Sequence, residues 1–241
     1  MASLYLAPEL PADAAAGSVV TLDGDEGRHA ITVARVRVGE TLSISDGAGL
    51  VVTGPVASID GATLTLTVGT AQRHPAPVPE LWLAQALAKG DRDELAIQAA
   101  TELGVNGVIP WAAERSITRW EGPKAVKGRD RWASIVREAT KQSIRPRVPA
   151  VDAITSTAAL AKLPGLVLVL EPTASERLTD VEPDAERITL VVGPEGGVSP
   201  RELDLLEKAG ARLVRLGSEV LRTSTAGPAA LAVLNAKLGR W

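Results

Sequence analysis

Two spacings of apolar residues alternate through the second half of this chain. Residues 188–192 and 212–216 are short apolar runs of the kind found in strands buried on both faces of a parallel sheet. Each breaks into a glycine-containing loop and then into a helical pattern. The first loop reads Gly193-Pro194-Glu195-Gly196-Gly197. After it, Ser199 stands as a helix cap, Pro200 at the first helical position and Glu202 three residues past the serine, a capping-box start that Gly210 closes. The second loop, from Ser218 to Thr225, leads into an alanine- and leucine-rich helix expected from about Gly227. Residues 166–170 form a third buried run, ending at Glu171-Pro172-Thr173. Loops at the carboxyl ends of adjacent parallel strands make a ligand crevice.

Upstream, residues 81–87 and 105–110 read as further strands, separated by a helix that Gly104 ends. Residues 129–142 carry Trp132, Ile135, Val136 and Ala139 at helical spacing. The first 73 residues are different. Short runs at 3–6, 18–22, 41–45, 50–58 and 62–68, with hairpin signals at Asp46-Gly47 and Asp60-Gly61, predict a small β-barrel interrupted by one helix over 25–36. A proline-rich stretch without periodicity ends at Pro79. The expected organisation is a β-barrel over 1–73, a linker over 74–79 and an α/β domain over 80–241.

Composition narrows the chemistry. At 241 residues, 45% hydrophobic and 23% charged, the chain has the profile of a globular protein. No apolar run is long enough for a membrane span, and the first residues lack the charged start and apolar core of a signal peptide, so a cytoplasmic address is expected. There is no cysteine, which excludes disulfides, thiolate metal sites and any cysteine nucleophile. The two histidines, His29 and His74, are far apart, and no metal is expected. Net charge is −3, yet residues 111–147 hold ten Lys/Arg against four acids. A phosphate backbone responds to such a local excess more than to the overall balance.

The loop motifs carry a resemblance. Gly193-Pro194-Glu195-Gly196-Gly197 followed by Leu216-Gly217, Leu221-Arg222-Thr223 and Thr225-Ala226 resembles the signature of the RsmE family, the 16S ribosomal RNA uridine-N3 methyltransferases of the SPOUT superfamily. It extends upstream through Leu83-Ala84-Gln85-Ala86-Leu87 with Lys89-Gly90, Thr101-Glu102-Leu103-Gly104-Val105, Glu114-Arg115-Ser116 and Glu138-Ala139 with Gln142-Ser143 and Arg145. In the barrel, Arg28-His29 and Arg35-Val36-Arg37 resemble the family's N-terminal motif, with Ala34 in place of a preferred leucine. Ala99 stands where a lysine is common, and Ser224 replaces the usual glutamate of the last loop.

The resemblance implies a C-terminal SPOUT domain with a deep trefoil knot, a parallel sheet flanked by helices, and a PUA-like N-terminal β-barrel that binds RNA. It also implies a homodimer acting on 16S rRNA in the 30S subunit. The implied S-adenosylmethionine site comprises Leu170, Glu171, Gly193, Pro194, Glu195, Gly196, Gly197, Leu216, Gly217, Leu221, Arg222, Thr223, Thr225 and Ala226. Implied RNA contacts are Arg28, His29, Arg35, Arg37, Lys89, Arg115, Lys141 and Arg145. On residues alone, the arginines of the barrel fit a solvated face equally well, and Trp111, Trp120 and Trp132 fit either base stacking or packing.

Methylation at uridine N3 requires a proton to leave as the N–C bond forms. Arg222 is the candidate for stabilising the charge left on the uracil oxygens. With Ser224 in the glutamate's place, Glu195, Glu171 or solvent is left as the candidate base. Two other readings remain open at this point: a ribose 2′-O-methyltransferase of the same superfamily, and a non-catalytic RNA-binding assembly factor.

Overall fold

A computed structural model describes residues 4–241, in two compact units. One unit consists of residues 4–76 together with Thr140–Val148, and the other of Pro77–Ala139 and Pro149–Trp241.

The first unit contains β1 (Leu4–Leu6), β2 (Val19–Leu22), α1 (Gly24–Arg28), β3 (Thr41–Ser45), β4 (Leu50–Asp60), β5 (Thr63–Thr67) and β6 (Thr70–Arg73). The strands hydrogen-bond in the order β1-β3-β4-β5-β2, with β6 also on β4. The alternation in β5, buried at Leu64 and Leu66, and in β2, buried at Val20 and Leu22, is what one core-facing side requires. Ile44, Val52 and Val56 complete that core. Residue 3, the first of the expected strand 3–6, lies outside the described residues. The proline-rich stretch begins later than its composition suggests, because Thr70–Arg73 pairs with β4.

The helix expected over residues 25–36 is not a single α-helix. After α1, His29–Val33 widens into a π-helical turn in which Ala34 N–H donates to the His29 carbonyl at 3.0 Å. Val36 N–H then donates to the Ala30 carbonyl, with Arg35 between them in the left-handed region at φ 57°. This closing geometry normally calls for glycine.

Chain from the second half completes the first unit. Ser45 Oγ donates to the Pro146 carbonyl at 2.9 Å, Val148 N–H to the Gly47 carbonyl at 2.9 Å, and Arg147 to the His74 carbonyl through Nε and a terminal nitrogen. Lys141 and Glu26 form an ion pair at 3.1 Å with both side chains nearly buried.

The second unit contains β7 (Glu80–Ala86), α2 (Arg92–Glu102), β8 (Gly107–Trp111), most of α3 (Pro123–Gln142), β9 (Ala150–Val151), α4 (Thr157–Leu160), β10 (Leu166–Leu170), β11 (Glu176–Arg177), β12 (Arg187–Val192), α5 (Pro200–Lys208), β13 (Arg212–Arg215) and α6 (Thr223–Lys237). Its seven strands are parallel, in the order β11-β13-β10-β12-β7-β8-β9, with helices flanking the sheet. Leu168, Val169, Leu190, Val191 and Leu83 are fully buried, as the continuous apolar runs require.

Two helices start earlier than their sequence signals. Helix α3 begins at Pro123 rather than near residue 129 and carries Gly128 inside it. A side chain at Gly128 would strike the indole of Trp120, which meets Trp132 edge-on at 5.3 Å between ring centroids. Trp111 and Trp132 are fully buried, so packing accounts for them. Helix α6 begins at Thr223 rather than Gly227, with Pro228 inside it. Gly227 serves close packing instead: a Cβ there would lie 2.9 Å from Leu83 Cδ1 and 3.5 Å from Val192 Cγ2.

Candidate active site

Register places three loops at one edge of the sheet. Leu170 is the partner of Val192 on one side and of Val214 on the other, so β10, β12 and β13 end together. The loops that leave them enclose a cleft of about 370 Å³, within the range of small-molecule and cofactor sites.

Its walls are apolar at Leu170, Val192, Val198, Val214, Leu216 and Ala226. The ionisable groups lining it are three carboxylates, Glu171, Glu195 and Glu219, and three guanidiniums, Arg92, Arg215 and Arg222. Every residue expected from sequence to form the cofactor pocket lines this cleft except Gly196 and Thr225. Arg92, Glu219 and Val220 line it without having been singled out. Glu219 could have been found from its place in the loop after a buried strand, whereas nothing local marks Arg92.

The first loop is anchored at both ends. Gly193 leaves β12 where a Cβ would lie 2.8 Å from Val198 Cγ2, so only glycine lets the loop fold back this tightly. At its far end Ser199 and Glu202 form the expected capping box, each accepting from the other's backbone N–H. Glu202 does more than cap. Its Oε1 accepts from Glu114 N–H at 2.9 Å and from the Thr157 hydroxyl at 2.7 Å, while the Ser199 hydroxyl donates to Glu114. The segment Glu114-Arg115-Ser116 is thereby held against α5, and Arg115 donates to the Gly196 carbonyl at 3.1 Å.

The second loop is fixed where it enters α6. Thr223, buried, donates to the Gly193 carbonyl at 2.9 Å and accepts from Gln85 Nε2 at 2.8 Å. From Gly217 to Arg222 the backbone N–H groups donate to no acceptor among the described residues, which leaves a run of donors beside the cleft.

The charged residues fall into two kinds. Glu195 Oε1 accepts from Lys89 N–H at 3.1 Å and from Arg92 at 2.8 Å. Desolvation raises its pKa, but the backbone hydrogen bonds and the Arg92 guanidinium outweigh it and hold the carboxyl below its ordinary value. Glu171 Oε1 is bent back onto the N–H and hydroxyl of Thr173, and Arg215 donates to the Ala174 and Ser175 carbonyls. Glu219 and Arg222 make no side-chain hydrogen bond or ion pair among the described residues.

A family model described as an RNA methyltransferase domain matches residues 74–235, and one described as an RNA methyltransferase PUA domain matches residues 22–68. Ribosomal RNA small subunit methyltransferase E of Mycobacterium bovis is 42% identical over 93% of this chain and 89% of its own length. The chain belongs to this RNA methyltransferase family. The Neisseria gonorrhoeae small subunit methyltransferase E, solved with S-adenosylmethionine bound, superposes with a TM-score of 0.87 at 30% identity over 98% of both chains. A Legionella pneumophila methyltransferase, solved with the same cofactor, gives 0.86 at 28% identity over 98% of both.

The positions that the family resemblance assigns to RNA are distributed across the methyltransferase. Arg28, His29, Arg35 and Arg37 are exposed on the first unit, where Arg28 pairs with Asp25 at 3.3 Å. Lys89 and Arg115 are exposed on the second unit, next to residues 195 and 196. Lys141 is held in the pair with Glu26. Arg145 is half-buried, and desolvation lowers its guanidinium to about 10. Much of the basic excess over residues 111–147 is used internally: Arg119 donates to the Ala113 and Glu114 carbonyls, Arg129 to that of Val151, and Arg131 pairs with Glu94 at 2.8 Å. Lys124 and Lys127 remain exposed.

Among the described residues no group of three or more His, Cys, Asp or Glu is placed to hold a metal, and no helix is long and apolar enough to cross a membrane.

Proposed function

We propose that this RNA methyltransferase uses S-adenosylmethionine to methylate N3 of a decoding-region uridine in 16S ribosomal RNA, on the assembled 30S subunit. It acts in the cytoplasm as a homodimer whose second unit carries the family's trefoil knot. The cleft between the loops after β10, β12 and β13 supports this reading most directly. Its apolar walls at Val192, Val214 and Ala226 suit an adenine ring, and the N–H groups of residues 217–222 can serve ring and ribose acceptors. Its carboxylates suit a ligand with a cationic amino group and sulfonium. The residues therefore fit the cofactor, and so does the tight glycine turn at residue 193.

When bound, S-adenosylmethionine supplies a methyl group already activated on sulfur. What remains for this chain is to position the uracil, keep water out and manage charge. Val220 and Leu221, both exposed beside the cleft, offer apolar cover for an entering base. Arg222, unpaired among the described residues and lining the cleft, can offer a cation to the uracil oxygens as N3 loses its proton. The exposed cations Arg28, Arg35, Arg37, Lys89 and Arg115 supply phosphate contacts.

The test is transfer of labelled methyl from S-adenosylmethionine to small subunits lacking the modification, with mass spectrometry of the digested nucleosides. Formation of 3-methyluridine is the expected result. Label confined to 2′-O-methyl nucleosides overturns the acceptor, and absence of cofactor binding overturns the enzymatic reading of this chain.

A further inference from the structure

The cleft contains two opposite charges that the fold has left unpaired. Three carboxylates line it, and no histidine or lysine does. Among the side chains that line it, those able to take a proton from a substrate are therefore Glu171, Glu195 and Glu219. Ser224 has no carboxyl and does not line the cleft.

Two of the three are already committed. Glu195 is bound to Arg92 and to the Lys89 N–H, and its lowered proton affinity makes it a poor base. Glu171 spends one oxygen on two hydrogen bonds from Thr173, which fixes it as the latch of its own loop. Glu219 makes no side-chain hydrogen bond or ion pair among the described residues. Its Oε2 lies 3.5 Å from the point a Cβ on Gly217 would occupy, so the side chain folds back over the bare backbone of the loop that lines the cleft. Arg222 is three residues away on the same loop, lines the same cleft and is also unpaired. An anion and a cation on one loop, neither of them paired among the described residues, are what deprotonation of a ring nitrogen flanked by two carbonyls needs. The anion receives the proton and the cation stabilises the oxygens.

We propose that Glu219 is the proton acceptor for uridine N3. The N3–H bond breaks toward a Glu219 carboxylate oxygen as the N3 lone pair forms the bond to the methyl carbon. The carbon–sulfur bond breaks with its electron pair going to sulfur. The products are neutral S-adenosylhomocysteine, 3-methyluridine and a protonated Glu219 that returns its proton to solvent. The proposal rests on the uridine-N3 reading above and assigns it a base.

The experiment uses full-length protein and 30S subunits lacking the modification. Wild-type product is first identified by nucleoside mass spectrometry, and Glu219→Gln and Glu219→Asp are then compared across pH. Glu219→Gln should still bind S-adenosylmethionine measurably by calorimetry, so that its rate is read with the cofactor bound. Its single-turnover rate should fall about 10²-fold or more at neutral pH. It should then recover roughly tenfold per pH unit as solvent base removes the N3 proton. Glu219→Asp should retain intermediate activity. Subunits carrying 5-fluorouridine, whose N3 proton is more acidic, should rescue Glu219→Gln more than wild type. Wild-type 3-methyluridine formation with a Glu219→Gln rate within twofold of wild type, or with a loss that neither pH nor 5-fluorouridine reduces, overturns the base assignment alone. A wild-type product other than 3-methyluridine overturns the acceptor reading and this assignment with it.

Discussion

The Thr223 hydroxyl reaches the Gly193 carbonyl at 2.9 Å, joining the first turn of the last helix to the end of β12. It also accepts from Gln85, 138 residues earlier in the chain, so one buried oxygen ties three segments at the base of the cleft. Thr223→Val keeps the shape and removes both bonds, leaving the Gly193 carbonyl and the Gln85 amide without this partner. We expect a loss of about 1–3 kcal/mol in urea unfolding, with weaker S-adenosylmethionine binding by calorimetry. Thr223→Ser should restore both, and a Val variant as stable and as tight-binding as wild type would remove the hydroxyl from the account.

Arg222 lines the cleft with no partner, which points to interaction with substrate rather than support of the fold. Arg222→Ala should unfold at the wild-type urea concentration, and its rate should be read with the cofactor saturating. Its single-turnover methylation rate should drop about 10²–10³-fold. A folded alanine variant that methylates at the wild-type rate would exclude the electrostatic role.

Glu195 has a pKa held below the ordinary glutamate value in the folded protein. For such an acid the unfolded state binds the proton first as pH falls. Its contribution to stability is therefore present above the unfolded value and is lost as pH drops through the folded one. Wild type should be more stable than Glu195→Gln at pH 7, and the two should converge at the acid end of the range, measured by urea unfolding at a series of pH values. The gap will be small because the pair with Arg92 is partly exposed.

Arg35 occupies the left-handed region at φ 57°, a conformation that suits glycine. Arg35→Gly should stabilise the protein by up to about 1 kcal/mol and at the same time weaken RNA binding with a shallower salt dependence. Filter binding at two salt concentrations checks the second part. Unchanged RNA affinity would assign Arg35 to a solvated surface.

Lys141 and Glu26 are each nearly buried in their ion pair. Lys141→Met removes one charge of this nearly buried pair and should lower stability by about 1–5 kcal/mol, seen as a lowered midpoint in thermal unfolding. Combining it with Glu26→Gln should recover much of the loss.

The features legible in the sequence are those whose cause is local. The capping box at Ser199 and Glu202, the glycine turn at 193 and the apolar runs of β10 and β12 all express constraints within a few residues of one another. These were enough to locate a crevice at the strand ends, while the residues assigned to its lining came from the family resemblance. The failures involve distant partners. Gly227 looked like a helix start, but the space it leaves is for Leu83. The helix expected from residue 129 begins at Pro123 and runs through Gly128, where Trp120 lies against it. The basic excess over residues 111–147 suggested a phosphate surface, yet Lys141 meets Glu26 and Arg131 meets Glu94, pairings that only the folded chain creates. Glu219 stood in the loop after a buried strand, but its lack of a partner among the described residues is recognised only once the partners of the other carboxylates are known.

The assignment of Thr140–Val148 to the first unit has a consequence for how the molecule is made. On a translating ribosome the barrel strands emerge early, but the carbonyl of Pro146 that receives the Ser45 hydroxyl, and the N–H of Val148 that caps Gly47, are synthesised only after two strands of the second unit. The N-terminal unit therefore cannot mature as an independent first product, and vectorial folding is interrupted until the chain has come back to it. A fragment stopping at residue 76 would be an unfinished object rather than a transferable RNA-binding module, and grafting this barrel onto another protein would require carrying the later segment with it.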